Sequence, residues 1–439
     1  MNKMNRFFRR VYGVVAAMFL FIVATCSFSA CSDNDEVPSP PPPYAPSRTV
    51  MVYMVAENSL HWNSLSDVRE MLVGMNNDSL YVDDKLVIYL DDMDLPRIYV
   101  IDKTTKKNAL SNLDPVMTYE KDWNSSSANQ LKSFIDYAKT HYPADSYGLV
   151  MWSHASGWIP STYWGDKTGD ASSRRRSFGL DNERNADDNN VNVGHQMNID
   201  DMADALADVL QGTVLDFIFF DACSMQNIEV AYELRHVTKY LIASPAEIPS
   251  PGANYETFVK AMFRKDDYVN KMVEDYYREY FEGPVRNLYG AVISAVNTSA
   301  LDDFAAYMRP IVHAHQSEML ALNTSSMQHY LWYGVWPYKD VYGRSVSQYT
   351  YPDFLDIQGV MLKVLSEEEY ADWKIKADKV FTCMHTNKWY SDYPKKRLDI
   401  DDAQCCGVSM FIPFEKYAST SFNTDYYTTS WAKDVWIEE

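Results

Sequence analysis

Positive charge is scarce in this chain: 40 lysines and arginines stand against 60 aspartates and glutamates, for a net charge of −20. A protein that grips a phosphate backbone needs a basic face, so nucleic acid is excluded as a partner. Cysteine is scarcer, six in 439 residues, and no zinc spacing occurs among them. His61, His141 and His195 show no HExxH-like spacing, which argues against a metallohydrolase. The apolar stretch from Val11 to Ala24 is shorter than the roughly 20 residues a membrane-spanning helix needs. No internal repeat is present. The aromatic content of 14% argues against disorder.

The N-terminus carries a targeting segment. Lys3, Arg6, Arg9 and Arg10 form a basic region ahead of the apolar stretch, which closes on Phe28-Ser29-Ala30-Cys31. The small residues before Cys31 resemble a bacterial lipobox. Residues 1–30 are therefore expected to be a lipoprotein signal peptide and Cys31 the lipidated residue that anchors the protein to a membrane; ordinary cleavage of a secreted protein is the alternative. Ser32 to Glu36 resembles the acidic export tag of Gram-negative surface lipoproteins, so the expected location is the outer membrane, facing the periplasm or the cell surface. Residues 31–47, with Pro38 and Pro40 to Pro43, read as a semi-rigid polyproline spacer. With Cys26 in the signal and Cys31 taken by lipid, four thiols remain: Cys223, Cys383, Cys405 and Cys406. Of the adjacent pair, one at most could easily bridge to Cys383.

Short apolar runs punctuate the rest. Arg48 to Val55, Lys85 to Leu90, Tyr147 to Trp152, Leu215 to Phe220 and Tyr240 to Ser244 read as buried strands. Asn58 to Met75, Ser127 to Tyr142, Asn198 to Leu210 and Met225 to His236 read as helices between them. This alternation predicts an α/β fold with a mostly parallel sheet. Residues 48–298 are assigned to this core and 299–439 to a helical and mixed C-terminal region packed on it, with a late strand at Val408 to Ile412.

Two strand ends carry the chemistry. The third run leads into Trp152-Ser153-His154-Ala155-Ser156-Gly157-Trp158, the fourth into Asp221-Ala222-Cys223. In open α/β sheets, ligands bind at the carboxyl ends of the strands. A thiol attacks as the thiolate and needs surroundings that favour ionisation. A helix beginning at Met225 would provide amides near Cys223, and His154 could protonate a leaving amine.

Both blocks resemble those of the clostripain family of cysteine peptidases, relatives of caspases, legumains and gingipains. The resemblance runs from about Val50 to Tyr255 and implies a caspase-like three-layer α/β/α sandwich. It further implies a His154–Cys223 dyad acting on polypeptides, an oxyanion hole from the amides of Ala155 and Cys223, and Asp221 in the S1 pocket. Two positions depart from the pattern. Ala155 replaces a glycine, and alanine resists positive φ; Ala253 stands where basic-specific relatives carry a second aspartate. Preference for a basic P1 residue is nonetheless expected. A binding lipoprotein that keeps the sandwich without catalysis is the alternative.

The polar loop between the dyad members contains Arg174-Arg175-Arg176, where self-cleavage is expected to open the cleft. The same loop holds Asp181, Asp187 and Asp188. Such closely spaced oxygen ligands suit calcium, although no EF-hand spacing is present. A thiol mechanism itself requires no cofactor, and a monomer is expected.

Overall fold

The computed structural model describes residues 46–77, 79–106, 110–160, 177–182, 195–283, 289–331, 334–339, 345–391 and 396–438. In chain order the elements that frame the site are β1 (Arg48–Val55), α1 (His61–Met75), β2 (Lys85–Asp91), β3 (Arg97–Asp102), β4 (Met117–Thr118), α2 (Ala128–His141) and β5 (Ser146–Trp152). They continue with β6 (Ser177–Asp181), β7 (His195–Asn198), α3 (Ile199–Leu210), β8 (Phe217–Asp221), α4 (Ile228–Glu233) and β9 (Tyr240–Ala243). Then come α5 (Tyr255–Met262), α6 (Tyr268–Phe281), β10 (Val292–Asn297) and α7 (Leu301–Leu320).

A nine-stranded sheet holds the molecule together. Its parallel centre runs β9-β8-β5-β1-β2. β3 and β4 add antiparallel on one side. On the other, β10 and the strand Phe381–His385 add antiparallel. The far C-terminal portion thus supplies an edge of the central sheet, within the compact unit Pro46–Glu439.

The central strands read as unbroken apolar runs because both faces are covered. In β1, Met51, Tyr53 and Val55 face one core with helices α2, α3, α4 and α7. Val50, Val52 and Met54 face the other with α1, α5 and α6. This two-residue alternation between helical layers makes the three-layer α/β/α sandwich.

Sheet order also locates the site. From β1 the chain moves to β2 on one side and, after β3 and β4, returns to β5 on the other. A crevice opens where strand order reverses in this way.

Among the described residues, no helix is long and apolar enough to cross a membrane.

Candidate active site

Register brings the two motifs level. Trp152 of β5 lies opposite Asp221 of β8 in the parallel pair. His154 and Cys223 each follow two residues later, so both emerge at the same height. They line one cleft of about 720 Å³ with Leu60, Asp221, Glu247, Ile248, Gly252, Tyr289 and Tyr390. The two tyrosines sit edge to face, with ring centroids 6.3 Å apart. They come from beyond the segment in which the motifs lie, and nothing in their local sequence marks them as cleft residues.

The loop bearing His154 is tied down from several sides. Ser153 Oγ donates to Val55 O at 2.7 Å, and Gly179 N–H donates to His154 O at 3.0 Å. The ring nitrogen Nε2 lies 2.8 Å from Ser59 Oγ. Desolvation of the ring lowers the His154 pKa to about 4, so the imidazole is neutral at neutral pH. Trp158 is fully buried against Phe411 and Tyr426, at centroid distances of 4.8 and 5.7 Å. The aromatic C-terminal residues therefore clamp the histidine loop.

The concern over Ala155 resolves in its favour. Among the described non-glycine residues, positive φ occurs only at Gln211, Ser224 and Asp267. The left-handed residue of the histidine loop is Gly157, at φ +68°, where a Cβ would collide with Asn227 Oδ1. Alanine at 155 is thus unstrained. Among the described residues its N–H has no hydrogen-bond partner.

The surroundings of Cys223 need a correction. The helix does not begin at Met225 but at Ile228, and α4 is only six residues long. Cys223 and Ser224 form a turn instead, with Ser224 at φ +58° and its N–H donating to Ala246 O at 2.9 Å. The helix thus starts five residues beyond Cys223 rather than two. Strand termini and this turn present Cys223 to the cleft, and the Ile248 N–H points at its Sγ across 3.4 Å.

Asp221 lies beneath the cleft and is 3% exposed. Its Oδ2 accepts from Tyr255 O–H at 2.8 Å and Ala253 N–H at 3.1 Å. Its Oδ1 is buried without a hydrogen-bond partner. Burial raises its pKa to about 6, against the two hydrogen bonds that lower it. Gly252 leaves the approach open: a Cβ there would stand 2.7–2.8 Å from both carboxylate oxygens.

A second acid, missed from the sequence, lies nearby. Asp67 on α1 is buried, accepts from Trp152 Nε1 at 2.7 Å, and has its pKa raised well above the carboxylate range by burial and then by Asp221. It reads as an ordinary helix residue, and only packing of α1 under β5 reveals it.

Asp181 ends β6 and is buried beside Glu57 and Asp91. Asp187, Asp188 and the triplet Arg174 to Arg176 lie outside the described residues, as does Cys31. The thiols of Cys383, Cys405 and Cys406 are free.

A histidine and a cysteine on adjacent parallel strand ends of a three-layer sandwich define a caspase-like protein. A sequence model of the clostripain family matches residues 52–439, and the chain belongs to that family. Clostripain of Hathewaya histolytica is 27% identical over 231 residues, 47% of this chain and 40% of that protein. The chain thus aligns with well under two thirds of the length of that curated relative. Two solved structures align along most of their length. An inactive zymogen C11 protease from Parabacteroides distasonis is 27% identical with a TM-score of 0.69, covering 90% of this chain and 99% of that one. A secreted C11 cysteine protease from Bacteroides thetaiotaomicron, in complex with an irreversible peptide inhibitor, is 27% identical with a TM-score of 0.67, covering 89% and 99%.

Proposed function

We propose that this protein is a cysteine endopeptidase in which Cys223 is the nucleophile and His154 the proton carrier. The observation that carries this reading is the equal height of the two side chains in one cleft, set by the Trp152–Asp221 register. Neutral His154 takes the proton of the thiol as Sγ attacks the peptide carbonyl. The tetrahedral oxyanion is stabilised by the amides of Ala155 and Cys223. His154 then passes its proton to the leaving amine, and water hydrolyses the acyl-enzyme.

Specificity for arginine or lysine at P1 is part of the proposal. Asp221 offers an unpartnered, buried Oδ1 beneath the cleft. A guanidinium or ammonium would provide the missing donor. Labelling with peptidyl acyloxymethyl ketones tests both parts. Probes ending in Arg or Lys should modify Cys223 and those ending in Leu or Asp should not; the Cys223→Ala protein should take up none. Failure of the whole panel to label would favour a non-catalytic binding lipoprotein.

Two further readings rest on the sequence. Self-cleavage at Arg174, Arg175 or Arg176 opens the cleft; the intact protein should fragment on incubation and its Cys223→Ala form should not. Lipid on Cys31 anchors the chain to the outer membrane, so Cys31→Ala should release it to the soluble fraction.

A further inference from the structure

Three thiols gather at one edge of the central sheet. Cys383 lies on the edge strand Phe381–His385, opposite Ser294 of β10, and hydrogen-bonds to the Cys405 thiol. A Cβ on Gly407 would stand only 2.5 Å from Cys383 Sγ. The Tyr330 hydroxyl lies 3.2 Å from Cys405 Sγ. Cys406 is committed elsewhere. Its Sγ donates to Asp356 Oδ1 at 3.2 Å, and its N–H meets both oxygens of that carboxylate at 3.0–3.1 Å.

These contacts separate the two adjacent cysteines as partners for Cys383. Bridging through Cys406 would strip the buried Asp356 of a donor, which is costly. Bridging through Cys405 leaves that shell intact, because the Tyr330 hydroxyl still donates to Asp356 Oδ2 at 2.8 Å.

We propose that Cys383 and Cys405 form a disulfide in the exported protein, stapling to the sheet the hairpin that carries Tyr390 into the cleft. The two thiols lose two protons and two electrons as the S–S bond forms. A small-molecule or protein disulfide accepts them and becomes two thiols. Export, expected from the N-terminal targeting segment, brings the chain where such oxidants act. Exchange proceeds through a thiolate. In the finished fold the Cys405 contact and then burial push the Cys383 thiol well above its ordinary pKa. Oxidation therefore belongs to the folding chain, before these thiols are enclosed.

The bond has consequences for the cleft. Cys383 and Cys405 bracket the antiparallel pair Lys388–Ser391 and Lys396–Asp399. Tyr390 of this hairpin lines the cleft against Tyr289. At one end the hairpin is already pinned: Thr386 N–H donates to Ala291 O, and Thr386 Oγ1 accepts from Ala291 N–H, both at 2.9 Å. The disulfide closes the other end onto the same sheet edge. Beside it, Gly407 O accepts from Ser294 Oγ at 2.6 Å, and that hydroxyl accepts at 2.9 Å from Nε2 of Gln226, in the segment that follows Cys223. One staple thus braces the cleft wall and the support of the nucleophile strand end.

The test uses the full chain carrying Cys223→Ala, exported to the periplasm of a Gram-negative host, so its outcome is independent of whether the protein is a peptidase. Free thiols are alkylated under denaturing conditions and the chain is digested with trypsin without reduction. Residues 380–388 should be recovered joined to residues 398–416, two hydrogens lighter than the separate peptides. Fragmentation between Cys405 and Cys406 should place the bond on Cys405 and the alkyl group on Cys406. Reduction of the folded protein should lower its Tm by about 3 °C, as expected for opening a loop of about 20 residues. It should also speed amide exchange in the Lys388–Ser391 strand severalfold. Recovery of all three thiols alkylated overturns the proposal. So does a bond between Cys405 and Cys406, between Cys383 and Cys406, or between two chains.

Discussion

At the N-terminal ends of the parallel strands, buried charges are matched. Arg48, at the start of β1, meets Asp216 at 2.7 Å and also donates to the carbonyls of Met262 and Arg264. Lys239 closes on the other oxygen of Asp216 at 2.7 Å, and Lys265 on Asp84 at 2.6 Å. Burial alone would raise the Asp216 pKa, but the Lys239 hydrogen bond and the two cations win and lower it. At the C-terminal ends of the same strands, Asp91 and Asp221 are buried with oxygens that no donor reaches, and burial raises both pKa values. The first end uses charge to hold the fold together. The second keeps charge poised for ligands, which is where strained and perturbed groups gather in active sites.

The largest expected effect separates chemistry from stability at the second end. Cys223→Ala should lower kcat/KM by about a thousandfold or more while moving the Tm little, because Cys223 is a partly buried thiol that lines the cleft rather than the core. Peptide-substrate kinetics together with calorimetry read both quantities.

Next comes the matched end. Arg48→Met should destabilise the protein by about 2–4 kcal/mol, since the Met262 and Arg264 carbonyls lose their donor and Asp216 keeps only Lys239. Urea melts measure this loss, and a stable variant would break the comparison.

A smaller effect concerns pocket charge. With an Arg substrate, kcat/KM should fall as pH drops through about 6, as protonation removes the negative charge of Asp221. Asp221→Asn should abolish that acid limb and lower kcat/KM about ten- to a hundredfold. His154, with a pKa of about 4, should add no limb near the ordinary imidazole value.

The smallest effect carries the opposite sign to Arg48→Met. Asp91→Asn should leave stability unchanged or raise it by about 1 kcal/mol, because a neutral amide replaces a buried acid that lacks donors. Paired urea melts of the variant and the parent read it.

Much of the frame was legible in local pattern. β1 forms over the residues its apolar run marks, and α2 at Ala128–His141 falls within the helical spacing of Ser127 to Tyr142. Strands buried on both faces write themselves as unbroken apolar runs, and the two motif strands end at Trp152, as marked, and at Asp221, one residue past the marked Phe220. Local pattern failed at the turn after Cys223. There the apolar residues Met225 and Ile228 mimic helical spacing, while hydrogen bonds from Ser224 and Gln226 to Ala246 and Ser244 hold a non-helical turn. It also failed for the sheet edge at Phe381–His385, whose partner β10 lies far away in the chain.

The adjacent residues Asp91 and Asp92 mark the division most clearly. In the sequence they are one acidic pair closing a strand. In the fold, Asp92 receives both Arg97 guanidinium nitrogens at 2.8–2.9 Å, while Asp91 points into the carboxylate cluster without a donor. Successive side chains of a strand face opposite ways, so identical neighbours meet different surroundings. Strand identity, the strand-end placement of His154 and Cys223, and the family resemblance were determined by the sequence, because each is written in residues close together. Whether a carboxylate is paired, whether Ala155 is strained, and which acids lie beneath the cleft were decided by tertiary structure alone. Those answers depend on groups that only sheet register and helix packing bring within hydrogen-bonding range.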